Sequence, residues 1–313
     1  MTPDVSLVLV TRNGGLVFKE VLEAIRGQQT DFRVEVLGID SGSTDRTAEL
    51  LRQFGARVYS IRPAEFNHGL TRNLGILESR GEFIVLLVQD AVPTSPRWLA
   101  NLVAPVAASH DLAGSYARQI PRPDASPLTT YYLREWVATS DLPRTARVES
   151  VEAFERMGPM ERFLCCVFDN VCSCIRRSVW ERFPFRKTDI AEDLEWAHDV
   201  LRAGYGIAYA PDAVVMHSHE RSARYELMRT YLVHKRLRAL FDVALIPNVR
   251  KLAYAMATTP PLHAREVMRA YGWRTRPRDL ARALALGVAF PLGQYLGARA
   301  TDTGRDFLRA SGV

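Results

Sequence analysis

The chain has 313 residues, of which 47% are apolar and 24% charged, a composition typical of a globular protein with one large or two moderate domains. The first apolar run, at residues 5–10, is too short for a signal peptide or a membrane span, and no basic segment precedes it. We therefore expect a protein that is made in the cytoplasm and stays there.

The net charge of +6 is distributed unevenly along the chain. Residues 1–220 carry 24 Lys/Arg against 29 Asp/Glu, a balance of −5, whereas residues 221–313 carry 17 against 6, a balance of +11. A basic C-terminal region could serve an anionic membrane, a phosphorylated substrate or nucleic acid. Because the sequence has no zinc-finger or RNP-type motif, we expect no nucleic-acid partner.

The four cysteines, Cys165, Cys166, Cys172 and Cys174, lie within ten residues. Their spacing does not match paired C-x-x-C zinc ligands. Cys172 and Cys174 alternate as residues on one face of a strand do. We expect buried, reduced thiols rather than a metal site.

Strands and helices alternate over the first 90 residues. Apolar runs of strand length occur at residues 6–10, 34–39, 56–61 and 83–88, and segments with helical spacing of apolar residues lie near 16–25, 48–51 and 70–77. This order predicts right-handed crossovers and a largely parallel sheet flanked by helices.

The pattern is less regular after residue 90. A helix at 98–108 and a strand at 112–116 are followed by residues 121–159, which we expect to form a long irregular excursion beside the active site. Further strands are predicted at 170–175, 207–209 and 213–216, with a helix that begins at Thr188 and stops at Gly204. Beyond residue 220 the predicted elements are helices at 225–243, 248–258 and 277–300.

Two groups of polar residues stand at positions where chemistry is expected. Asp90 ends the fourth apolar run, and ligands bind where loops leave the carboxyl ends of parallel strands. Glu192 and Asp193 lie in the first turn of a predicted helix. The structural alternatives are a turn formed by Asp90 and Pro93, and compensation of the helix dipole by the two acids.

Five motifs, in order along residues 5 to 220, resemble family-2 glycosyltransferases of the GT-A fold, the inverting type that uses a nucleotide-sugar donor. They are residues 6–13 (SLVLVTRN), 39–45 (IDSGSTD), 66–75 (FNHGLTRNLG), 89–91 (QDA) and 192–193 (ED). Within that family, FNHG, QDA and residues 168–180 (FDNVCSCIRRSVW) are most similar to bacterial rhamnosyltransferases.

The resemblance implies a binding site for the donor. Thr11 and Asp40 correspond to positions that hold the nucleoside, Gly69 to a close backbone approach, and Arg72 to a charged fork toward the diphosphate. The full set implied for the nucleotide sugar is Thr11, Arg12, Asp40, Gly69, Arg72, Gln89 and Asp90. Turn chemistry for Asp40 and a surface cation for Arg72 are the alternatives.

A divalent metal, Mg²⁺ or Mn²⁺, is also implied. The family usually has Asp-x-Asp where this chain has Val88-Gln89-Asp90, so one carboxylate remains to meet the ion, together with phosphate oxygens, water and a further ligand. His217 or His219 resembles the late metal-binding histidine of the family. A solvated or hydrogen-bonded core histidine is the alternative for either.

On the acceptor side, the resemblance implies that Asp193 is the catalytic base. Glu192 and Trp196 would lie near the acceptor, Trp196 offering an apolar face to a sugar ring, and Asn170 could donate to sugar hydroxyls.

We therefore predict a GT-A type catalytic domain at residues 1–220 and a helical C-terminal region at 221–313. The expected activity is inverting transfer of a deoxysugar, L-rhamnose from dTDP-rhamnose, to a bacterial surface glycan or a lipid-linked precursor. Alternatives are a UDP-sugar donor, a sugar-phosphate nucleotidyltransferase and a non-catalytic sugar-nucleotide-binding scaffold. The basic tail and the apolar segment at 284–296 suggest peripheral attachment to the membrane, with packing on the catalytic domain or a homodimer as the alternative.

Overall fold

The fold comprises one mixed sheet with flanking helices and a set of C-terminal helices. A computed structural model describes residues 2–300. Within them the strands are Val5–Thr11 (β1), Val34–Asp40 (β2), Arg57–Ser60 (β3), Phe83–Val88 (β4), Val92–Pro93 (β5), Leu112–Ile120 (β6), Arg144–Ala146 (β7), Cys172–Arg176 (β8) and Gly206–Met216 (β9). The helices are Gly15–Arg26 (α1), Thr47–Phe54 (α2), His68–Leu77 (α3), Trp98–Ala108 (α4), Pro127–Arg134 (α5), Val151–Arg156 (α6), Pro159–Cys165 (α7), Arg177–Trp180 (α8), Glu192–Arg202 (α9), Ala223–Phe241 (α10), Val249–Tyr271 (α11) and Pro277–Arg299 (α12).

The described residues form two compact units. The first contains residues 2–122, 136–157 and 164–218, and the second contains residues 123–135, 158–163 and 219–300. The predicted C-terminal region extends to residue 313, and its last part, residues 301–313, lies outside the described residues.

The sheet of the first unit has the strand order β3-β2-β1-β4-β8-β6-β9-β5, and β7 pairs with β9. The strands β3, β2, β1 and β4 are parallel, as their alternation with helices predicts. β8 runs antiparallel between β4 and β6, while β6 and β9 are parallel. Because Thr11 pairs with Asp40 and Val10 with Val88, the residues that follow β1, β2 and β4 meet at one edge.

The main core lies between the sheet and its helices. Alternate residues of β1, such as Leu7 and Leu9, are buried in one cluster with Phe18 of α1 and with Trp98 and Leu102 of α4. Each large apolar side chain buried in this way contributes roughly 1.5–3 kcal/mol to folding. The ends of β1, β2 and β4 are therefore held in place by a well-packed layer.

The prediction that residues 121–159 form an irregular excursion is wrong in part. The helices α5 and α6 and the short strand β7 lie within this range. Ser126 and Ser150 cap the two helices by accepting from the backbone N–H of Thr129 and Ala153. Elements of eight residues or fewer are too short to show a sustained period, although their capping serines are a readable signal.

The helices of the second unit pack closely through glycines. A side chain added at Gly287 would meet the backbone of Pro260, and one added at Gly297 would meet the carbonyl of Tyr231. α11 continues to Tyr271 through Pro260 and Pro261, so the predicted end near residue 258 is wrong. Among residues 2–300 the helices are either too short or too polar to cross a bilayer.

The prediction of buried thiols is confirmed for three of the four cysteines. Cys166, Cys172 and Cys174 are buried and unbridged, and Cys165 is partly exposed. Burial raises the pKa of Cys172 and Cys174 well above the usual thiol range. Both therefore remain protonated and unreactive in the core.

Candidate active site

Two buried polar residues lie at the ends of adjacent strands. Thr11 Oγ1, at the end of β1, donates to Asp40 Oδ1, at the end of β2, over 3.3 Å. The Asp40 carboxylate also accepts from Ser43 Oγ at 2.5 Å and from the Ser43 backbone N–H at 3.0 Å. These bonds orient the carboxylate at the sheet edge, and the contact with the Ser43 N–H shows that the turn expected as the alternative is also present.

The loops that follow β1 and β2 are cross-linked. The Asn13 backbone N–H donates to Ser43 Oγ at 2.9 Å, and Asn13 Oδ1 accepts from the Thr44 N–H at 2.8 Å. The Gly14 N–H donates to Thr47 Oγ1 at 2.8 Å. Asn13 has φ +50°, a left-handed conformation that asparagine tolerates better than most residues. The two loops therefore form one connected surface.

Gln89 joins the end of β4 to the end of β1. Its side-chain oxygen accepts from the Arg12 backbone N–H at 2.7 Å, and its side-chain nitrogen donates to the Arg12 carbonyl at 2.9 Å. The Gln89 amide thus continues the pairing of the strands by one residue. This contact holds the exposed Arg12 and positions the backbone of Asp90.

Asp90 faces His217 across the sheet edge. Asp90 follows β4, and His217 follows β9, whose last residue Met216 pairs with Val92. His217 Nε2 lies 3.6 Å from Asp90 Oδ1, which is longer than a hydrogen bond. A carboxylate oxygen and an imidazole nitrogen are both ligands that Mn²⁺ accepts, and Mg²⁺ prefers the oxygen. Asp90 and His217 therefore form an Asp/His group that could hold a divalent metal.

His219, the first residue of the second unit, is exposed. It follows His217 by two residues, and its Nδ1 lies 3.3 Å from the Arg221 guanidinium.

A buried ion pair lies on the other side of the candidate site. Arg72 Nη1 in α3 lies 2.7 Å from Glu192 Oε1 at the start of α9, and the two side chains are only 8% and 6% exposed. The same guanidinium donates to the carbonyls of His68 at 3.1 Å and Asn170 at 3.3 Å. Arg72 thus joins α3, α9 and the loop before β8.

Asn170 connects the ion pair to Asp193 through hydrogen bonds. The Asn170 side chain is fully buried, donates to Glu192 Oε1 at 3.3 Å and accepts from Ser173 Oγ at 2.8 Å. Its backbone N–H donates to Asp193 Oδ2 at 3.1 Å. The carboxylate of Asp193 is therefore oriented by a residue that the Arg72–Glu192 pair itself holds.

The two adjacent acids have opposite protonation behaviour. Burial, together with the negative charges of Glu192 and Asp169, raises the pKa of Asp193 to about 8. Burial is the largest influence on Glu192 and acts to raise its pKa, but the positive charge of Arg72, together with His68 and hydrogen bonds from the backbone and Asn170, outweighs burial, and the net shift is downward. Glu192 is therefore ionised and structural, whereas Asp193 has the proton affinity that suits a general base near neutral pH.

The segment before α9 is clamped by the FNHGLTRN motif. Asn67 Nδ2 donates to the Thr188 carbonyl at 2.7 Å, Asn73 Nδ2 donates to the Phe185 carbonyl at 2.7 Å, and Gly69 packs against the Arg186 carbonyl, where a side chain would collide. The close approach expected at Gly69 is thus made here by the protein's own backbone.

The predicted start of this helix at Thr188 is wrong, because α9 begins at Glu192 after Ala191. Ala191 has φ +62° and offers no side-chain cap. A non-glycine residue in this conformation costs of order 1–2 kcal/mol, and such strain is concentrated at functional sites.

Comparison with known proteins identifies the family. The sequence model described as glycosyl transferase family 2 matches residues 6–184. The chain belongs to this family. It is a glycosyltransferase, as the five sequence motifs imply.

Relatives and solved structures agree with this assignment. The chain is 33% identical over 232 residues to the O-antigen chain rhamnosyltransferase RfbN of Salmonella typhimurium, covering 72% of this chain and 70% of the relative. It is 31% identical over 234 residues to WbaN of Salmonella anatum, which has the same description, covering 73% and 70%.

The fold is similar to a mannosyltransferase from Pyrobaculum calidifontis solved with GDP-Man and Mn²⁺, with a TM-score of 0.56 and 20% identity over 95% of this chain and 86% of that one. It is also similar to glucosyl-3-phosphoglycerate synthase from Mycobacterium tuberculosis with Mg²⁺ and UDP, with a TM-score of 0.55 and 19% identity over 79% and 81%. The predicted GT-A fold is confirmed.

In this glycosyltransferase, three predicted acceptor contacts need correction. Trp196 is 2% exposed, donates from Nε1 to the Phe183 carbonyl at 2.9 Å and packs on Phe168, so its ring presents no face to a sugar. The side chains of Asn170 and Glu192 are buried and already bonded to protein groups. The helical pattern correctly placed Trp196 on α9 but could not show which side of α9 faces the core.

Two residues beside the candidate site were not predicted. Gln119 Nε2 donates to Asp169 Oδ2 at 2.5 Å, and Gln119 Oε1 lies 3.0 Å from His217 Nδ1. Asp169 stands in the FDNV motif beside Asn170, which was the available signal for it. Gln119 gave none, because the predicted strand stopped at residue 116 whereas β6 continues to Ile120.

The buried pair leads to a stability prediction. Arg72→Met leaves the Glu192 charge without its buried partner, and we expect the free energy of unfolding to fall by about 3–5 kcal/mol. Replacing both residues, as Arg72→Met with Glu192→Leu, should recover a large part of that loss. Denaturant unfolding of the single and double variants measures both effects.

The exposed pair Arg62–Glu65 provides the matched control. Arg62→Met should leave the free energy of unfolding close to that of the wild type, because solvent screens the pair. An Arg72→Met variant as stable as this control would show that the buried pair does not hold α9 in place.

Proposed function

We propose that this glycosyltransferase moves L-rhamnose from dTDP-rhamnose to a hydroxyl of a bacterial surface glycan or of its lipid-linked precursor, with inversion at the anomeric carbon. The observation that carries the proposal is the identity of 31–33% to two O-antigen chain rhamnosyltransferases over about 70% of each. The arrangement of polar groups at the sheet edge supports it.

The donor is proposed to lie along the ends of β1, β2 and β4. Asp40, oriented by Thr11 and Ser43, would accept from the base or the ribose of the nucleoside. The exposed Arg12 would meet the diphosphate. Gln89, Gly69 and Arg72 act mainly by positioning, because each of them is engaged with protein groups.

The metal is proposed to bind at Asp90 and His217. The donor set fits the ion: a carboxylate oxygen and an imidazole nitrogen, both partly accessible, stand 3.6 Å apart. Two ligands of one octahedral ion at about 2.1 Å are about 3 Å apart, so a small closure would suffice. When bound, the ion would stabilise negative charge on the leaving diphosphate.

Asp193 is the proposed base. The acceptor hydroxyl loses its proton to Asp193 as its oxygen attacks the anomeric carbon, and the bond from that carbon to the nucleoside diphosphate breaks on the opposite face. The proton stays on the carboxylate, and the diphosphate leaves with the electron pair. The Asn170 N–H fixes the direction of the carboxylate, and the raised pKa of Asp193 favours proton capture.

Two other functions differ from this one in testable ways. A UDP-sugar transferase would use the same residues with another donor. A non-catalytic scaffold, suggested by Val88 in place of the first acid of Asp-x-Asp, would bind a donor without turnover. The pKa of Glu192 is lowered and that of its neighbour Asp193 is raised. Such a pair favours an enzyme, because a raised carboxylate pKa suits proton transfer and gives a binding scaffold no advantage.

The donor prediction is tested by thermal shift. dTDP-rhamnose with Mn²⁺ should raise Tm more than UDP- or GDP-sugars, since ligand at 100 times its Kd adds about 2.7 kcal/mol to stability. Asp90→Ala should remove the metal-dependent part of the shift. Asp111→Ala, which changes an exposed carboxylate in the same unit, serves as the control and should leave the shift unaltered. Stabilisation by GDP-mannose alone would count decisively against a rhamnose donor.

The proposal that Asp193 is the base predicts how the rate of transfer depends on this residue and on pH. Asp193→Asn should lower transfer by about 10²–10⁴ while donor binding is retained. In the wild type, the rate of transfer should rise with pH toward 8 as Asp193 ionises, and in the variant this rise should be absent.

The same shift sets the sign of the stability effect. Because the pKa of Asp193 is raised on folding, the wild type loses stability as pH rises from about 4 to 8. The Tm of Asp193→Asn relative to wild type should therefore increase over that range. Asp199→Asn, on the outer part of α9, is the control for both measurements. A fall in transfer of only a few-fold in Asp193→Asn would leave the acid as a helix-dipole residue.

Attachment to an anionic membrane through the C-terminal helices is the last part of the proposal. Leu284, Val288 and Leu296 are exposed at spacings of four and eight along α12, and Trp273 is 89% exposed. Each basic residue near an anionic surface adds about 1 kcal/mol to binding. By contrast, Phe290, which the sequence suggested as a membrane contact, packs against Tyr132 in the core of the second unit.

Sedimentation with liposomes tests this attachment. The protein should pellet with anionic but not neutral vesicles, release at high salt, and bind more weakly when Leu284, Val288 and Leu296 are changed to Ser. Leu16→Ser, at an exposed apolar position in the first unit, is the matched control. Retention of the intact protein in the supernatant with anionic vesicles at low salt would assign the helices a purely structural role.

A further inference from the structure

The side chain of Gln119 links His217 to Asp169, and the chemistry above uses neither contact. Gln119 stands near the end of β6 and is 5% exposed. One end of its amide lies 2.5 Å from Asp169 Oδ2, and the other lies 3.0 Å from His217 Nδ1. The backbone is fixed as well, since the His217 N–H donates to the Ile120 carbonyl at 2.9 Å.

The carboxylate determines which way the amide points. An ionised Asp169 can only accept hydrogen bonds, so the nitrogen of the Gln119 amide must face it. The oxygen of the amide must then face His217. Asp169 is held in turn, because its Oδ1 accepts from the Val171 backbone N–H at 2.9 Å.

The amide in turn determines where the histidine carries its proton. A side-chain oxygen can only accept, so the nitrogen facing it, His217 Nδ1, must be the one that bears hydrogen. In the neutral imidazole the other nitrogen, Nε2, then has a lone pair. That nitrogen is the one directed at Asp90 Oδ1, 3.6 Å away.

We propose that Gln119 is a positioning residue for the metal site: oriented by Asp169, it holds His217 with the proton on Nδ1 and Nε2 directed toward the ion. The inference rests on the proposed function in that it assumes metal binding at Asp90 and His217. Residues that hold a ligating histidine in this way typically contribute 10–100-fold to metal affinity.

The same loop also serves the proposed base. Asp169 precedes Asn170, whose backbone N–H donates to Asp193 Oδ2 at 3.1 Å. The metal ligand and the base are therefore oriented from adjacent residues of one segment, Asp169 on one side and Asn170 on the other. Gln119 connects this segment to the metal side.

The test measures Mn²⁺ affinity by electron paramagnetic resonance, with Mn²⁺ alone and with Mn²⁺ plus dTDP. Gln119→Met removes the acceptor for Nδ1 without changing charge, and we expect about a tenfold loss of affinity. The double variant Gln119→Glu with Asp169→Asn exchanges donor and acceptor, keeps the net charge and rebuilds both hydrogen bonds. Its affinity should stay within about threefold of wild type.

Gln28→Met is the matched control. The Gln28 amide is also bonded at both ends, because its nitrogen donates to the carbonyls of Ala24 and Ser95 and its oxygen accepts from the Leu99 N–H. None of these partners belongs to the proposed metal site. Loss of the Gln28 amide should leave Mn²⁺ affinity unchanged whatever it does to Tm. Equal affinities for Gln119→Met and wild type would overturn the inference.

Asp90→Ala separates this inference from the proposed site. If Asp90→Ala binds Mn²⁺ as well as wild type, the metal site itself is misplaced. If Asp90→Ala abolishes binding while Gln119→Met does not weaken it, the metal site stands and the positioning role fails.

A measurement on the unmodified chain tests the orientation of His217 directly. In metal-free wild type with ¹⁵N-labelled histidine, the long-range proton–nitrogen spectrum at pH 8 should show His217 protonated at Nδ1 only, with the signal assigned by its absence in His217→Gln. A proton on Nε2 with Nδ1 unprotonated would contradict the proposed orientation.

Discussion

The proposed acceptor side of this transferase depends on one buried ion pair. Arg72 and Glu192 bring α3, α9 and the loop before β8 to a common point, and Asn170 bonds to both residues. Such a pair contributes little net stability compared with an apolar replacement, because desolvation of the two charges offsets their attraction. Its value lies in geometry: the Asn170 N–H can orient Asp193 only while the pair keeps the loop and the helix in register.

The proposed donor side is organised by a different constraint, the parallel pairing of strands. Parallel neighbours end at the same edge, so Thr11 and Asp40 meet directly and Asp90 follows one strand away. Hydrogen bonds between loops, such as those of Gln89 to the Arg12 backbone, then extend the edge beyond the strands. The strand edge proposed for the donor and the helix α9 proposed for the acceptor are thus held by separate sets of contacts.

Sequence reasoning succeeded where local pattern decides the outcome. The positions of Asp40 at the end of β2 and of Asp90 just after β4 were predictable because apolar runs stop abruptly there, and helix α4 was predicted with its observed bounds. It failed where tertiary contacts decide. The helical period of α9 could not show that Trp196 faces Phe168, nor that Ala191 adopts a left-handed conformation. Gln119 was missed because its role depends on partners 50 and 98 residues away.

The replacement of the first acid of Asp-x-Asp by Val88 has an electrostatic consequence for the proposed chemistry. Val88 is the last residue of β4 and pairs with Val10 in the sheet. The motif therefore supplies only one carboxylate, that of Asp90. With a neutral His217 beside it, a divalent ion would keep about one net positive charge after binding both ligands. Fewer carboxylates weaken the hold on the ion before the donor arrives, but they leave more positive charge to stabilise the departing diphosphate. For stabilising the leaving diphosphate, a neutral histidine is therefore a better second ligand beside Asp90 than another acid would be, provided that a residue such as Gln119 fixes the orientation of its ring.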